Sequence, residues 1–267
     1  MPKDLTVEIF CIGTELLNGL VQDSNSYWMA KETALLGCAL RRITILADDP
    51  EDMKRGLGGA VERGTDVVLT SGGLGPTADD LTVAVVSEML GVKPVVNEEI
   101  VQHLMASRNI TDRAQVRPVL LSMSKAPEGA RVYPNPVGIA PCIHVEMRKT
   151  HMFLMPGPPR EVQGVFDAHV KPFIQKVSPF TVASRRVIIN MLEAEAGPIF
   201  QQVMQAHPGT YLKGAIVQAQ RVGDTQHLPV DVVCKGETAE QASLNLDQTL
   251  QHFEQLLYQH GRQFILR

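Results

Sequence analysis

Two hydrophobic periods alternate along the first two thirds of the chain. Val7–Ile12 is an apolar run broken only by Glu8 and closed by Gly13, which predicts a buried strand. Asp23 and Ser24 stand as candidate caps for a helix over Asn25–Leu36, with Gly37 as its stop. Ala39–Ala47 predicts a second strand, and Pro50 opens a helix reaching Arg63 despite Gly56, Gly58 and Gly59. Asp66–Ser71 is short, β-branched and apolar, as a buried parallel strand requires. A glycine-rich loop follows, then a helix over Leu81–Leu90 stopped by Gly91. This βαβαβα order predicts a parallel sheet with helices on its faces.

Further on, Asn97–Arg108 has helical amphipathicity. Cys142–Met147 and His151–Met155 read as a hairpin through Arg148–Thr150, and a helix spans Pro159–Lys176. Ser178–Ser184, SPFTVAS, reads as a linker. Beyond it come a strand (Arg186–Met191), a helix (Ala196–Ala206), two strands (Tyr211–Gln220 and Val230–Lys235) and a helix (Ala239–Tyr258). That βαββα pattern is a small α+β unit. The domains expected are an α/β domain over residues 1–177 and a smaller one over 185–267.

Composition narrows the function classes. A chain of 267 residues with 44% hydrophobic and 20% charged residues has a packed core and is not globally disordered. A net charge of −4 and 5% aromatic residues argue against a nucleic-acid partner. No apolar run approaches the ~18 residues of a membrane span, so no membrane partner is expected. The start, MPKDLTVEIF, carries Asp4 and Glu8 and no signal-peptide core, so a cytoplasmic location is expected. Cys11, Cys38, Cys142 and Cys234 are far apart, which gives neither a zinc knuckle nor a disulfide framework.

Candidate chemistry lies in four loops. Thr70–Thr82, TSGGLGPTADDLT, joins a buried strand to a helix. Gly72, Gly73 and Gly75 let backbone approach a ligand, and amides at a helix start favour an anion. Neither a Walker A loop nor a dinucleotide fingerprint is present. Asp79 and Asp80 stand where a phosphate-binding lysine would be. Two carboxylates beside a phosphate need a divalent cation between them. The bland alternative is that Asp79 and Asp80 merely cap a helix. Gly13–Asn25, GTELLNGLVQDSN, starts where the first strand ends, and Glu15 there is a candidate metal ligand or general base. Asn135–Pro141 (NPVGIAP) and Pro156–Glu161 (PGPPRE) either present amides to a ligand or turn corners. Arg160 is the one cation in the four segments.

Together these segments resemble the CinA family and its relatives sharing the molybdopterin-binding (MoCF) domain. The match runs from Gly13 to Glu161 in the family's order, with GGLGPT, DD and LT the most specific part. The resemblance implies a three-layer α/β/α, MogA-like domain followed by a small KH-like or α+β domain and a homodimer. In molybdopterin adenylyltransferase relatives the catalytic aspartate falls on Asp80 and the following threonine on Thr82, while Asp79 matches the D-D of the CinA family. The chain departs from the family at Ile139, where threonine is usual, at Cys142, where glycine is usual, and in lacking an N-R-x-Q-A box before Pro127. It ends at Arg267 with no room for the nicotinamide mononucleotide deamidase domain, so that activity is not expected.

The family's version of this domain is associated with metal-dependent ADP-ribose hydrolysis. The expected site has Asp80 and Glu15 as catalytic groups and Asp79 with Asp80 as metal ligands. Gly13, Thr14, Gly72, Gly73, Gly75, Thr77, Asn135, Gly138 and Gly157 bind the nucleotide or phosphate. The expected cofactor is Mg²⁺, Mn²⁺ or Co²⁺, with K⁺ as a further ion to be tried, and the partner is a nucleotide or pterin. Adenylyl transfer to molybdopterin and a non-catalytic nucleotide or pterin-binding module stay open as alternatives.

Overall fold

The computed structural model describes residues 3–223 and 225–266. The chain divides into two compact units, the first made of Leu5–Ala34 and Cys38–Val177 and the second built mainly from Ser178–Arg267.

The first unit begins with β1 (Thr6–Ile12), a four-residue α1 (Thr14–Leu17), α2 (Asn25–Leu35), β2 (Ala39–Leu46), α3 (Pro50–Glu62), β3 (Val67–Ser71) and α4 (Thr82–Leu90). An excursion follows: β4 (Pro94–Val96), α5 (Glu98–Ser107), α6 (Pro118–Met123) and β5 (Lys125–Pro127). It carries its own small core of Ile100, Val101, Leu104, Val116 and Leu120. The chain then returns through β6 (Arg131–Tyr133), β7 (Cys142–Met147), β8 (Thr150–Met155), α7 (Pro159–Val165), a π-helical turn over Phe166–Val170, and α8 (Lys171–Val177).

The six-stranded sheet has the order β2-β1-β3-β8-β7-β6. β1, β2, β3 and β8 run parallel, while β7 and β6 are antiparallel to their neighbours. Every residue of β1 and β3 is buried, as central strands covered on both faces must be. Phe10, Ile12 and Val68 point to the face that buries Met53 and Leu57 of α3 and Val85 and Val86 of α4. On the opposite face Phe153 meets Phe173 of α8, and Trp28 of α2 packs edge-on against Phe166. The result is a three-layer α/β/α domain.

Helix signals operate as expected. Asp49 caps α3 by accepting from Asp52 N, with Pro50 at the first position, and left-handed Gly91 ends α4. One charge breaks the apolar run of β1: Glu8 is buried and receives a two-pronged bond from Arg63 (3.0 and 2.7 Å) and the Thr65 hydroxyl (2.6 Å). Burial pushes the Glu8 carboxyl up, but the Arg63 and Thr65 bonds outweigh it and hold its pKa below the usual carboxylate value.

The second unit contains β9 (Thr181–Asn190), α9 (Glu193–Ala206), β10 (Thr210–Gly214), β11 (Gln220–Val222), β12 (Thr225–Gly236), α10 (Ala239–Gln259) and β13 (Phe264–Leu266). The sheet order is β10-β12-β9-β13, with β11 on β12, all antiparallel. Val187, Ile189, Leu228, Val230 and Val232 bury one face of it with α9 and α10. Two expectations change here. The stretch read as a linker is mostly the start of β9, since Thr181–Ser184 pair with Val233–Gly236. The single strand read over Tyr211–Gln220 stops at Gly214 and passes through a 3-10 turn at Ile216–Gln218. Ala215 N still donates to Pro229 O, but Pro229 has no N–H to return the bond, so the ladder with β10 ends there.

Candidate functional site

The chain passes from β1 to β2 on one side and then crosses to β3 on the other. Strand order therefore reverses at β1, and the crevice beyond the carboxyl ends of β1 and β3 is where an open α/β sheet binds ligands. A cleft of about 400 Å³ lies there. Its walls come from the loops after β1, β2, β3 and β8, which are four separate stretches of sequence.

The β3 wall is the glycine loop. Gly72 has φ +107°, and a Cβ there would fall 2.2 Å from Ile12 O of the neighbouring strand. Gly73 has φ +69°, and a Cβ would fall 2.1 Å from Thr82 Oγ1. Both positions exclude every residue but glycine. Thr82 pins this turn by donating its hydroxyl to Gly72 O (2.9 Å) and its amide to Gly73 O (3.2 Å). Leu74 anchors the loop in the core between the sheet and α3–α4.

Asp80 closes the loop from inside. Its Oδ1 accepts from Gly75 N (2.7 Å) and its Oδ2 from Thr77 N (2.8 Å) and Thr77 Oγ1 (2.5 Å). The Thr77 hydroxyl also meets Asp79, and that bond holds the Asp79 carboxyl below its ordinary pKa. Two of the amides expected to cradle a phosphate are thus bonded to Asp80.

The β1 wall carries Gly13 and Glu15, whose carboxylate folds over the Gly13 Cα; a Cβ on Gly13 would be 2.5 Å from Glu15 Oε1. The Glu15 carboxylate accepts no hydrogen bond among the described residues, while its backbone carbonyl accepts from Leu20 N (3.0 Å) and Val21 N (3.2 Å). Thr14 lies behind this wall and locks it to the β2 loop. Thr14 N donates to Asp48 Oδ2 (2.8 Å), and Asp48 N donates to Thr14 Oγ1 (3.1 Å). Asn25 ties the remaining walls together, donating from Nδ2 to Ser71 Oγ (2.8 Å) and Gly157 O (2.7 Å). Asp23 caps the start of α2 through Ser26 N (3.0 Å).

The structure brings Gly13, Glu15, Gly72, Gly73, Gly75, Thr77, Asp79, Asp80 and Gly157 to one cleft. It does not bring Asn135 and Gly138 there. Asn135 is buried and donates to Ala140 O (2.9 Å) and Glu161 Oε2 (2.7 Å) while accepting from Val137 N (3.0 Å). Gly138 packs under the same Glu161. The family departures at Ile139 and Cys142 fall in this corner and the adjoining β7, away from the cleft walls. Arg160 is exposed and is not part of the lining. Sequence reasoning gave no ligand role to Asp48, Asn25 or Ser71; Asp48 follows an ordinary edge strand, and nothing local marks it.

Among the described residues, five carboxylates, those of Glu15, Asp23, Asp48, Asp79 and Asp80, line the cleft, and no Lys, Arg or His does. Their hard oxygen donors suit a divalent cation such as Mg²⁺. Among the described residues, no three His, Cys, Asp or Glu side chains stand ready to hold a metal ion together. The donor set therefore fits an ion that arrives bound to an anionic ligand better than a resident one.

Such a cleft, glycine-walled and set at a strand-order reversal, defines a small-molecule-binding domain of the three-layer α/β class. Residues 8–176 match the family described as probable molybdopterin binding domain, MoCF_biosynth. The chain belongs to this family, and within it is CinA-like. It is 34% identical over 257 residues to a Pyrobaculum calidifontis protein with no more specific name, covering 94% of this chain and 95% of that one. It is 39% identical over 170 residues to a CinA-like protein of Mycobacterium sp. (strain JLS), covering 61% of this chain and 40% of the relative. The crystal structure of CinA from Thermoplasma acidophilum, a protein of unknown function, superposes with a TM-score of 0.58 at 27% identity, over 63% of this chain and 98% of that one. Among the described residues, no helix is long and apolar enough to cross a membrane.

Proposed function

We propose that the cleft hydrolyses the pyrophosphate of ADP-ribose or a related nucleotide, which enters as its divalent-metal complex. The observation that carries this reading is the set of five carboxylates with no cationic side chain among the described residues. A bare diphosphate is repelled by such a cleft, whereas a diphosphate carrying its cation is attracted. The ion supplies charge neutralisation on the phosphoryl oxygens when bound.

The protein's own residues do the rest. Gly72 and Gly73 let the β3 loop turn tightly against Ile12 O and Thr82, so that its backbone forms a wall for the diphosphate. Asp80 holds the Gly75–Thr77 turn in shape and lines the cleft beside Asp79. Glu15, whose carboxylate accepts no hydrogen bond among the described residues, takes the proton of the attacking water. The water oxygen bonds to one phosphorus as the anhydride P–O bond breaks, releasing AMP and a sugar phosphate.

The test is AMP release from ADP-ribose with Mg²⁺, Mn²⁺ or Co²⁺, with and without K⁺. We expect turnover that falls at least about 100-fold in Asp80→Asn, roughly 2.7 kcal/mol of barrier, with the fold retained. Saturable ADP-ribose or pterin binding without AMP under any of these ions would replace hydrolysis by a binding module. Adenylylated pterin from ATP and molybdopterin would replace it by transfer.

A further inference from the structure

The five cleft carboxylates come from the loops of three strands. Glu15 and Asp23 follow β1, Asp79 and Asp80 follow β3, and Asp48 alone of the five follows β2. The strand order β2-β1-β3 puts Asp48 and the glycine loop on opposite sides of β1. Leu46 is the last residue of β2 paired with β1, and Ser71 is the last of β3. Asp48 and Gly73 each stand two residues further on. Two strand spacings, about 9–10 Å, separate the two strand ends. A nucleoside 5′-diphosphate covers such a span from its ribose hydroxyls to its diphosphate.

Asp48 is also held in a fixed orientation. Its Oδ2 accepts from Thr14 N (2.8 Å), and its own amide donates to Thr14 Oγ1 (3.1 Å). Its Oδ1 accepts no hydrogen bond among the described residues, and the half-buried side chain lines the cleft. A carboxylate oxygen in that state repels phosphate and binds a hydroxyl donor. Asp23, by contrast, spends its Oδ1 on Ser26 N and Cys11 Sγ.

We propose that Asp48 Oδ1 accepts from the ribose 2′,3′-diol of the nucleoside whose diphosphate lies along the β3 loop. This rests on the diphosphate reading of the same cleft, and it narrows the substrate class to nucleoside 5′-diphosphate derivatives with a free ribose diol. An acidic side chain performs the same service for the ribose of dinucleotides in other open α/β sheets.

The test uses α,β-methylene-ADP, which resists hydrolysis at its bridge and has a single ribose, and its 2′,3′-dideoxy form. Each is titrated calorimetrically into the full chain with Mg²⁺. Wild type should bind the dideoxy form at least about tenfold more weakly, the loss of a hydrogen bond to a charged acceptor. Asp48→Asn keeps an oxygen for Thr14 N and exchanges the free oxygen for an amide NH₂. The ratio of the two affinities should then shrink to within about threefold. A ratio taken within one protein cancels any change in folded fraction. Equal affinities in wild type, or an unchanged ratio in Asp48→Asn, would overturn the ribose contact and leave the diphosphate site standing. Binding of neither analogue by wild type would overturn both. The tenfold ratio without AMP release from ADP-ribose would remove hydrolysis and keep the contact.

Discussion

The loops Gly72–Asp80 and Asn135–Pro141 look alike as sequence. Each follows a short β-run, each mixes glycine and proline with a polar amide or carboxylate, and each suggests a ligand cradle. In the folded chain they do opposite things. The first leaves the carboxyl end of a central parallel strand and lines the cleft. The second joins β6 to the antiparallel β7 at the sheet edge and spends Asn135 on its own backbone and Glu161. Loop composition sets rigidity; the position of the parent strand in the sheet decides whether a rigid loop meets a ligand.

Gly72→Ala should produce the largest effect. The new Cβ would meet backbone oxygen Ile12 O at 2.2 Å, in a φ region that L residues rarely adopt. A strand carbonyl in a six-stranded sheet cannot step aside. Strain and overpacking together should cost about 4 kcal/mol, visible as a lower urea midpoint. A variant as stable as wild type would mean that the loop rearranges freely and is not a fixed wall.

Asn135→Ala is the counterpart in the other loop. It strands the Val137 amide and leaves the Ala140 carbonyl and Glu161 without a donor in a buried corner. We expect a stability loss of about 3 kcal/mol with ligand affinity and turnover per folded molecule unchanged. Loss of affinity at unchanged stability would return Asn135 to the ligand site.

Much of this contrast was legible before folding and part of it was not. The apolar runs of β1 and β3, the Pro50 helix start and the Gly91 stop are local signals, and they place the glycine loop at a strand end. Ser71 is the loop's own chain neighbour, but what puts Asp48 and Asn25 beside that loop is the strand order β2-β1-β3, a global event with no local mark. The same holds for Asn135. Its amide reads as a ligand group until the chain is seen to bring Glu161 to it from 26 residues away. In the second unit, the break after Gly214 depends on Pro229, which looks like an ordinary strand residue until its missing N–H faces Ala215.

Thr77→Val sharpens the comparison inside the cleft. The single hydroxyl hydrogen is shared between Asp79 and Asp80, and it is the main reason the Asp79 pKa is lowered. Removing it should cut turnover about tenfold, or ~1.4 kcal/mol of barrier. A carboxyl with a lowered folded pKa contributes its charged-state interactions above the unfolded value and loses them as pH falls through the folded one. In Thr77→Val the Asp79 pKa rises toward its ordinary value, so the acid limb of the pH–rate profile should move to higher pH. An unmoved acid limb would show that Asp79 charge is not used.

Gly138→Ala should have the smallest effect, and it tests the comparison most directly. A Cβ there falls 2.1 Å from Glu161 Cδ, as tight as the contact at Gly73. The obstacle at Gly138 is the end of a flexible side chain, and the backbone is not left-handed. Glu161 can swing toward solvent, giving up its 2.7 Å bond from Asn135 while Asn135 keeps its bond to Ala140 O. The expected loss is therefore about 1 kcal/mol, the value of one hydrogen bond, with turnover within about twofold because the corner lies outside the cleft. If instead Gly138→Ala abolished ligand binding while the melting temperature barely moved, the corner would have to reach the ligand. The distinction between a wall loop and a corner loop would then fail at the residue where the two are most alike.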